Sequence, residues 1–420
     1  GPVWIDIPLD IQSSIVETDD LVGYTQENDV YPLFNADKIY EAIKNSSKPL
    51  IVAGNGIRLS GSENKFSLLV KKLGIPVIST WAAKDLMAYD DCLYAGGFGL
   101  FGERGANFAV QEADLLLILG SRLSLPNIGY NYKSFSPKSI KIMVDIDGDE
   151  MNKSTIKIDH KIICDLSVFI DKMYSYGLGS APSFGGWIDQ INTWKHKYPV
   201  YLPEYKQNKD KINCFYFSEV LSNVLTHKDV IITDMGSSFT AMFQSLRLNG
   251  PTRMFTSHGT ASMGFGLPGA IGSYFADTSK APVLIAGDGG FQMNIQELQT
   301  VVQYNIPIKI FILNNNGYLA ISLMQDNLFN SEYIGSTADS GVAAPDFVKI
   351  ANAYGIKAIR INNNKELDNG INYVMGLDGP VLCEIMMPEH QLLIPRVQSR
   401  KDEHNNILSN SLDKMFPYLD

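Results

Sequence analysis

Two polar turns in the second half of the chain carry residues suited to binding a charged ligand. Gly287-Asp288-Gly289-Gly290 follows the apolar run 282–286, and Asn314-Asn315-Asn316-Gly317-Tyr318 follows the run 308–313, which is apolar except for Lys309. One carboxylate, an amide oxygen and backbone carbonyls form a hard oxygen set that suits Mg²⁺ completed by phosphate oxygens and water. Glycines let the backbone approach a phosphate closely. The pattern predicts a metal-bridged diphosphate site, and the alternative is two ordinary turns at strand ends.

The segments around these turns predict a strand–helix–strand unit. Residues 282–286 and 308–313 are typical of buried strands. Between them, apolar residues recur at helical spacing: Phe291, Ile295, Leu298 and Val302. A crossover of this kind makes the two strands parallel. If the strands are neighbours, their carboxyl ends lie about 5 Å apart, and Asp288 and Asn315 can face one ion.

This combination resembles the signature of thiamine-diphosphate enzymes. Residues 287–318 are most similar to the acetolactate synthase large subunit and 2-oxoacid decarboxylase family. The resemblance implies thiamine diphosphate and Mg²⁺ as cofactors, with Asp288, Asn315 and the carbonyl of Gly317 as metal ligands. It also places further residues of the two turns at the cofactor, namely Gly287, Gly289, Gly290 and Tyr318.

A third turn, Met235-Gly236-Ser237-Ser238, follows the predicted strand 230–234 and precedes a helix that begins near Phe239. Backbone amides and hydroxyls at a helix start favour an anion. The resemblance implies that Gly236 and Ser237 contact the diphosphate. The alternative is a simple helix cap.

The small-residue segment 257–270 resembles a family segment in which a bulky apolar residue holds the cofactor bent between its two rings. Here that residue is Met263, and ordinary core packing is the alternative. His258 could carry a proton in the active site or be a structural histidine. No other catalytic residue can be assigned, because the family's activating glutamate lies in an amino-terminal domain.

Bulk properties exclude several classes of protein. The 420 residues carry a net charge of −10, which argues against a general nucleic-acid binder. No apolar run approaches the ~20 residues that span a bilayer, and no signal peptide is apparent. The cysteines show no CxxC pairing, and buried free thiols are expected. These features predict a cytoplasmic protein that binds neither nucleic acid nor membranes.

Alternating strand and helix signals predict an α/β fold with two doubly wound parallel-sheet domains. Residues 1–12 resemble the end of an amino-terminal pyrimidine-binding domain, so an inactive fragment of a homodimer or homotetramer is expected. The remaining predicted parts are a linker (13–33), a central domain with a possible FAD site (34–172), a linker (173–208), the thiamine-diphosphate-binding domain (209–385) and a tail (386–420).

The resemblance also leaves questions of cofactor and substrate open. Residues 97–107 and 110–114 resemble flavin-contacting segments of acetolactate synthases. Residues 121–131, however, lack two acids and an arginine that acetolactate synthases have at the corresponding positions. Residues 321–326 lack the family's arginine and tryptophan. We therefore expect a carboligase or decarboxylase acting on a small 2-oxoacid, with pyruvate as donor. The acceptor is a second 2-oxoacid or a keto-sugar nucleotide, and the alternatives are a simple decarboxylase or a non-catalytic homologue.

Overall fold

Two parallel β-sheets organise the chain from Phe34 onwards. The computed structural model describes residues 3–25, 31–176, 183–207, 210–250, 252–401, 403–404 and 407–419. Residues 1–33 form a separate unit, whose described part contains the short helix α1 (Leu9–Gln12) with exposed side chains. Residues 34–420 form the second unit.

The first sheet of the described residues has six parallel strands in the order β3-β2-β1-β4-β5-β6. Its central strands are continuous apolar runs, as expected when helices cover both faces of a parallel sheet. The bounds are β1 (Pro49–Ala53), β2 (Val77–Ser79), β3 (Tyr94–Gly97), β4 (Leu115–Leu119), β5 (Ile140–Asp145) and β6 (His160–Ile163).

The second sheet has six described parallel strands in the order β11-β12-β10-β9-β7-β8. The strand order reverses direction between β7 and β9, which creates a topological switch point where open α/β sheets bind ligands. The bounds are β7 (Asp229–Thr233), β8 (Arg253–Phe255), β9 (Ala281–Gly287), β10 (Lys309–Asn314), β11 (Lys357–Ile361) and β12 (Val381–Met386).

Helices connect the parallel strands and cover the faces of both sheets. In the first domain and the segment after it they are α2 (Ala36–Lys44), α3 (Gly56–Leu59), α4 (Glu63–Leu73), α5 (Arg104–Glu112), α6 (Leu125–Ile128), α7 (Leu166–Ser175) and α8 (Gly185–Lys197). In the second domain they are α9 (Cys214–Ser222), α10 (Ser237–Ser245), α11 (Gly266–Ala276), α12 (Asp288–Gln292), α13 (Leu298–Gln303), α14 (Leu319–Leu328), α15 (Phe347–Ala353) and α16 (Asn364–Met375). No helix of the described residues is long and apolar enough to cross a membrane.

The two parallel sheets confirm the predicted α/β class, but the single helix predicted after Gly290 is wrong. The chain forms α12, then a 3-10 turn (Ile295–Glu297), then α13. Asn294 leaves the helical conformation, with φ −132°, and its side-chain amide donates to Gly264 O at 2.8 Å. This long-range hydrogen bond ends α12, because it ties Asn294 to the loop before α11.

The segment predicted as a second linker contains α8, whose tryptophans contact the first domain. Trp187 is buried and its indole N–H donates to Pro49 O at 3.0 Å, while Trp194 packs edge-on against Phe108. Contacts between the domains include the 3-10 helix Trp81–Leu86, where the Trp81 ring meets Phe239 edge-on. The described part of the tail adds two antiparallel pairs of short strands, β13 (Arg396–Val397) with β16 (Met415–Phe416) and β14 (Ser399–Lys401) with β15 (Ile407–Ser409).

Candidate cofactor and metal site

The turns after β7, β9 and β10 lie side by side at the carboxyl edge of the second sheet. Strands β9 and β10 are direct neighbours, with Gly287 opposite Leu313. Strand β7 flanks β9 on its other side. Most of the residues predicted to hold the cofactor therefore share the sheet edge that contains the switch point.

Asp288 is the first residue of α12 and is almost completely buried. One of its carboxylate oxygens accepts from Gly289 N at 2.8 Å, and the other accepts from Gly317 N at 3.1 Å. Burial raises the pKa of the Asp288 carboxyl to about 6, although these backbone N–H groups oppose the shift. A buried carboxylate of this kind is stabilised when a cation binds to its remaining lone pairs.

Asn315 and Gly317 follow β10 and are buried at the same edge. The Asn315 amide nitrogen lies 3.5 Å from Glu389 O. A Cβ on Gly317 would lie 2.6 Å from Ser336 O, so this position requires glycine. Tyr318 N donates to the same Ser336 carbonyl at 2.8 Å. Ser336, which was not predicted from the sequence, therefore shapes the turn that would offer the Gly317 carbonyl to a metal.

The glycines of the Asp288 turn allow close packing against the turns after β7 and β10. Gly287 is the last residue of the strand. A Cβ on Gly289 would lie 2.2 Å from Cε1 of Tyr318, so the Tyr318 ring rests directly on the Gly289 backbone. A Cβ on Gly290 would lie 2.7 Å from a carboxylate oxygen of Asp234. The turns after β7, β9 and β10 thus pack without intervening side chains at these two points.

Gly236 and Ser237 lie at the amino end of α10. Gly236 precedes the helix with φ +92°, a conformation that favours glycine. Ser237 is the first helical residue and is buried. Ser238, the next residue, donates its hydroxyl to Asp234 O at 3.2 Å. The helix start therefore points its first amides along the same edge, which suits an anion.

Asp234 was missed as a functional candidate. It directly follows β7, is fully buried, and accepts hydrogen bonds from Met235 N, Gly264 N and Gly266 N. Burial raises the pKa of the Asp234 carboxyl, against the opposing effect of these amides. The available signal was an acidic residue at the end of an apolar strand and just before a Met-Gly-Ser turn.

Met263 and His258 lie in the loop between β8 and α11, but in different surroundings. Met263 is 40 % exposed, next to Gly264, whose position is fixed by Asp234. The His258 ring lies among aromatic side chains, 5.2 Å from the Phe243 ring and 6.1 Å from the Phe239 ring. Burial lowers the pKa of His258 to about 4, so the imidazole is neutral at pH 7. This placement favours the structural alternative for His258.

The donor set fits a hard cation. The described residues contain no group of three or more His, Cys, Asp or Glu side chains that could hold a metal. The candidate set instead combines the Asp288 carboxylate with the Asn315 amide oxygen and the Gly317 carbonyl. One carboxylate with neutral oxygen donors leaves coordination positions for phosphate oxygens and water, as Mg²⁺ requires.

Comparison with known proteins supports the same conclusion. Residues 234–385 match the model for the thiamine pyrophosphate enzyme C-terminal TPP binding domain, and residues 36–173 match the model for the thiamine pyrophosphate enzyme central domain. The chain belongs to the thiamine pyrophosphate enzyme family. The regions that match this family include all of the first described sheet and most of the second, and Asp234 is the first residue of the cofactor-domain match.

Similar members of the thiamine pyrophosphate enzyme family include acetolactate synthase large subunits. The chain is 29 % identical over 416 residues to that of Cyanidium caldarium, which covers 96 % of the chain and 69 % of the relative. It is 31 % identical over 405 residues to a probable acetolactate synthase large subunit of Methanococcus aeolicus, and this match covers 91 % of the chain and 66 % of the relative. The chain is 30 % identical over 413 residues to the acetolactate synthase large subunit of Porphyra purpurea, and this match covers 96 % of the chain and 68 % of the relative. The chain thus spans about two thirds of the length of these relatives.

In the segments that resemble flavin contacts of this family, backbone amides donate hydrogen bonds to other residues of the chain. Gly97 N donates to Glu103, and Gly99 N donates to the side chain of Asn107, at 3.0 and 2.9 Å. The turns after β1 and β4 are also hydrogen-bonded to each other, since Gly56 N donates to Gly120 O at 3.0 Å. These three amides are satisfied within the chain and are not available to a flavin phosphate, and binding of FAD stays a prediction.

Proposed function

We propose that the carboxyl edge of the second sheet binds thiamine diphosphate through Mg²⁺. The observation that carries this proposal is the hydrogen bond of Gly317 N to the buried Asp288 carboxylate, because it joins the turns that contain all three proposed metal ligands. Asp288, Asn315 and the Gly317 carbonyl would hold the ion. When bound, thiamine diphosphate supplies an electron sink for cleaving and forming bonds next to a carbonyl carbon.

The surrounding residues have separate roles in this proposal. Gly236 and Ser237 would offer backbone amides at the start of α10 to the diphosphate. Gly287, Gly289 and Gly290 would let the cofactor and Tyr318 approach the Asp288 turn. Met263 is exposed beside this edge, which supports contact of its side chain with the cofactor rings.

The reaction we propose is decarboxylation of a small 2-oxoacid, with pyruvate as donor, followed by transfer of the remaining acyl fragment to a second carbonyl. Support comes from the similar proteins named acetolactate synthase large subunits. For the acceptor, α14 presents Ile321 and Met324 as partly exposed apolar side chains near Tyr318. Both candidates for the acceptor, a second 2-oxoacid and a keto-sugar nucleotide, remain part of the proposal.

Cofactor binding is tested first, because it depends only on the residues described above. Thiamine diphosphate is titrated into the protein with Mg²⁺ and with excess EDTA, and binding is followed by calorimetry. Saturable binding that needs Mg²⁺ is expected. Binding of equal strength in EDTA, or none in either condition, would refute the proposal.

Reaction type is tested by product analysis. The protein with Mg²⁺ and thiamine diphosphate is incubated with pyruvate, and acetolactate and acetaldehyde are quantified. Acetolactate supports carboligation between two 2-oxoacids, whereas acetaldehyde alone supports simple decarboxylation. Consumption of pyruvate only when a keto-sugar nucleotide is added supports that acceptor. Binding of thiamine diphosphate without consumption of pyruvate in any mixture is the result expected of an inactive or non-catalytic chain. We also propose a homo-oligomer, for which light scattering after gel filtration gives the mass.

A further inference from the structure

A single buried carboxylate connects three segments of the proposed cofactor site. Asp234 lies one residue beyond β7 and none of its surface is exposed. Burying a charge without compensation costs on the order of several kcal/mol. The negative charge of Asp234 must therefore be stabilised by polar groups around it.

Backbone amides supply that compensation. One carboxylate oxygen of Asp234 accepts from Met235 N at 2.7 Å and from Gly264 N at 3.0 Å. The other accepts from Gly264 N at 3.1 Å and from Gly266 N at 3.0 Å. Hydrogen bonds to an ionised acceptor are stronger than neutral ones. The turn after β7 is thus tied to the segment that follows Met263.

Close packing adds a third segment. A Cβ on Gly266 would lie 2.9 Å from the second carboxylate oxygen, and a Cβ on Gly290 would lie 2.7 Å from the first. Gly290 belongs to the turn of the proposed metal ligand Asp288. The Asp234 carboxylate therefore touches the Gly236 turn, the Met263 segment and the Asp288 turn at once.

A direct role of Asp234 as a ligand does not fit this arrangement. Each of its oxygens already accepts from two backbone N–H donors, whereas each oxygen of Asp288 accepts from one. The hydrogen bonds instead suit a side chain that fixes the backbone conformation of the neighbouring segments.

We propose that Asp234 is a positioning residue, which holds Gly264 and Gly266 so that Met263 stands against the thiazolium and pyrimidine rings of thiamine diphosphate. This inference rests on the proposed function. It predicts that loss of the carboxylate weakens binding of the whole cofactor more than binding of its diphosphate part. Asp234 holds the Met263 segment through both Gly264 N and Gly266 N, but it reaches the turn of Gly236 and Ser237 only through Met235 N and makes no hydrogen bond to the proposed metal ligands.

The test compares two probes, thiamine diphosphate and inorganic pyrophosphate, each titrated with Mg²⁺ into wild type and Asp234→Asn. Asn keeps one acceptor oxygen in place of two, so the new NH₂ group would face either Gly266 N or Met235 N, donor against donor, and the two segments would no longer be held together. We expect the Kd for thiamine diphosphate to rise by more than about tenfold, and the Kd for pyrophosphate to change by less than about twofold. Asp234→Ser, which accepts a hydrogen bond without this repulsion, is the second variant should Asp234→Asn not fold.

A matched control lies at the other end of the same strand. Asp229 is also buried, and its carboxylate accepts from Thr226 N at 2.6 Å and from the Thr226 hydroxyl at 2.8 Å. Asp229→Asn removes a comparable buried acid far from the carboxyl edge. We expect it to lower thermal stability while leaving both dissociation constants within about twofold of wild type.

The outcomes separate this inference from the proposed function. Unchanged thiamine diphosphate binding in Asp234→Asn, or equal weakening of both probes, overturns the positioning role while leaving cofactor binding intact. Wild-type protein that binds Mg²⁺-pyrophosphate but no thiamine diphosphate overturns both. Selective weakening in Asp234→Asn and Asp234→Ser, absent in Asp229→Asn, supports the inference.

Discussion

The backbone N–H of Gly317 donates a hydrogen bond to the carboxylate of Asp288 at 3.1 Å. This contact spans two neighbouring strands and joins their turns across the sheet edge. Because Asp288 is buried, the bond lies in a region where electrostatic interactions are weakly screened. The fold therefore joins the turn of Asp288 to the turn of Gly317 before any ion binds.

Removing the charge of Asp288 tests this site. In Asp288→Asn a neutral amide replaces the carboxylate, so a hard cation loses its single charged ligand. We expect Mg²⁺-dependent binding of thiamine diphosphate, measured by calorimetry, to weaken by more than about tenfold. Asp339→Asn, a change to an acid on the 3-10 turn Ala338–Ser340 in the loop after α14, is the control and should bind normally.

The pH dependence of stability gives a second readout for Asp288. Its pKa is raised from 3.8 to about 6 in the metal-free fold, so the folded state binds more protons than the unfolded state between these values. The contribution of Asp288 to stability therefore falls as pH rises through this window, by up to about 3 kcal/mol. Denaturant unfolding of metal-free wild type and Asp288→Asn should show this step as their difference. A constant difference from pH 4 to pH 7 would contradict it.

The contact of Gly289 with Tyr318 predicts strong coupling between these residues. A Cβ at Gly289 would lie 2.2 Å from the Tyr318 ring, so Gly289→Ala must displace the ring or the turn. We expect a loss of about 1–3 kcal/mol in unfolding free energy, most of which disappears when Tyr318→Ala is also present. Gly272→Ala, whose added Cβ would meet no atom within 4 Å, should cost nothing. Additive effects of the two changes in denaturant unfolding would argue against the contact.

Local patterns in the sequence predicted the two turns well, because apolar runs and turn residues are read over short distances. The runs before Asp288 and Asn315 became β9 and β10, which are neighbours as expected. Strand β3 (Tyr94–Gly97) was not predicted, since its glycines hide the usual apolar signal. The parallel character of the sheets follows from such runs, whereas the exact bounds of the strands do not.

Long-range hydrogen bonds explain what the sequence did not reveal. The carboxylate of Asp234 accepts hydrogen bonds from the amides of Gly264 and Gly266, which lie 30 and 32 residues further along the chain. Asn294 interrupts its helix through a hydrogen bond to Gly264. Neither partner is visible from spacing alone, since no local pattern specifies which loop packs against a strand end. The parts of the site built by tertiary contacts therefore needed the structure.

His258 predicts a pH effect of opposite sign to that of Asp288. Burial lowers its pKa from 6.5 to about 4, so the unfolded chain binds more protons in this range. Its contribution to stability is present above pH 6.5 and is lost as pH falls towards 4, by up to about 3 kcal/mol. His258→Phe, which keeps a ring beside Phe243, should remove this loss in denaturant unfolding. The exposed His227→Gln should keep the wild-type profile, and an unchanged profile in His258→Phe would refute the prediction.

The buried carboxylate of Asp85 predicts a strong link between the two domains. It lies in the 3-10 helix of the first domain and accepts from Arg253 at 2.6 Å and from Met254 N at 2.9 Å, both in the second domain. Arg58 of the first domain also donates to it at 2.9 Å. The Asp85 side chain is only 1 % exposed, so Asp85→Asn removes a buried charge that pairs with Arg253 and leaves Arg58 paired with Glu63 alone. We expect a loss of about 2–4 kcal/mol, less than for a fully buried pair because both arginines reach solvent.

Separate unfolding of the domains is the further consequence of the Asp85→Asn change. With the interdomain hydrogen bonds weakened, the urea transition should broaden or divide into two steps, followed by tryptophan fluorescence and circular dichroism. Asp171→Asn is the matched control, because Asp171 pairs with Lys65 where both side chains are at least half exposed. That control should cost less than about 0.5 kcal/mol. If both variants unfold in one transition with equal small losses, the Asp85 contacts do not hold the domains together.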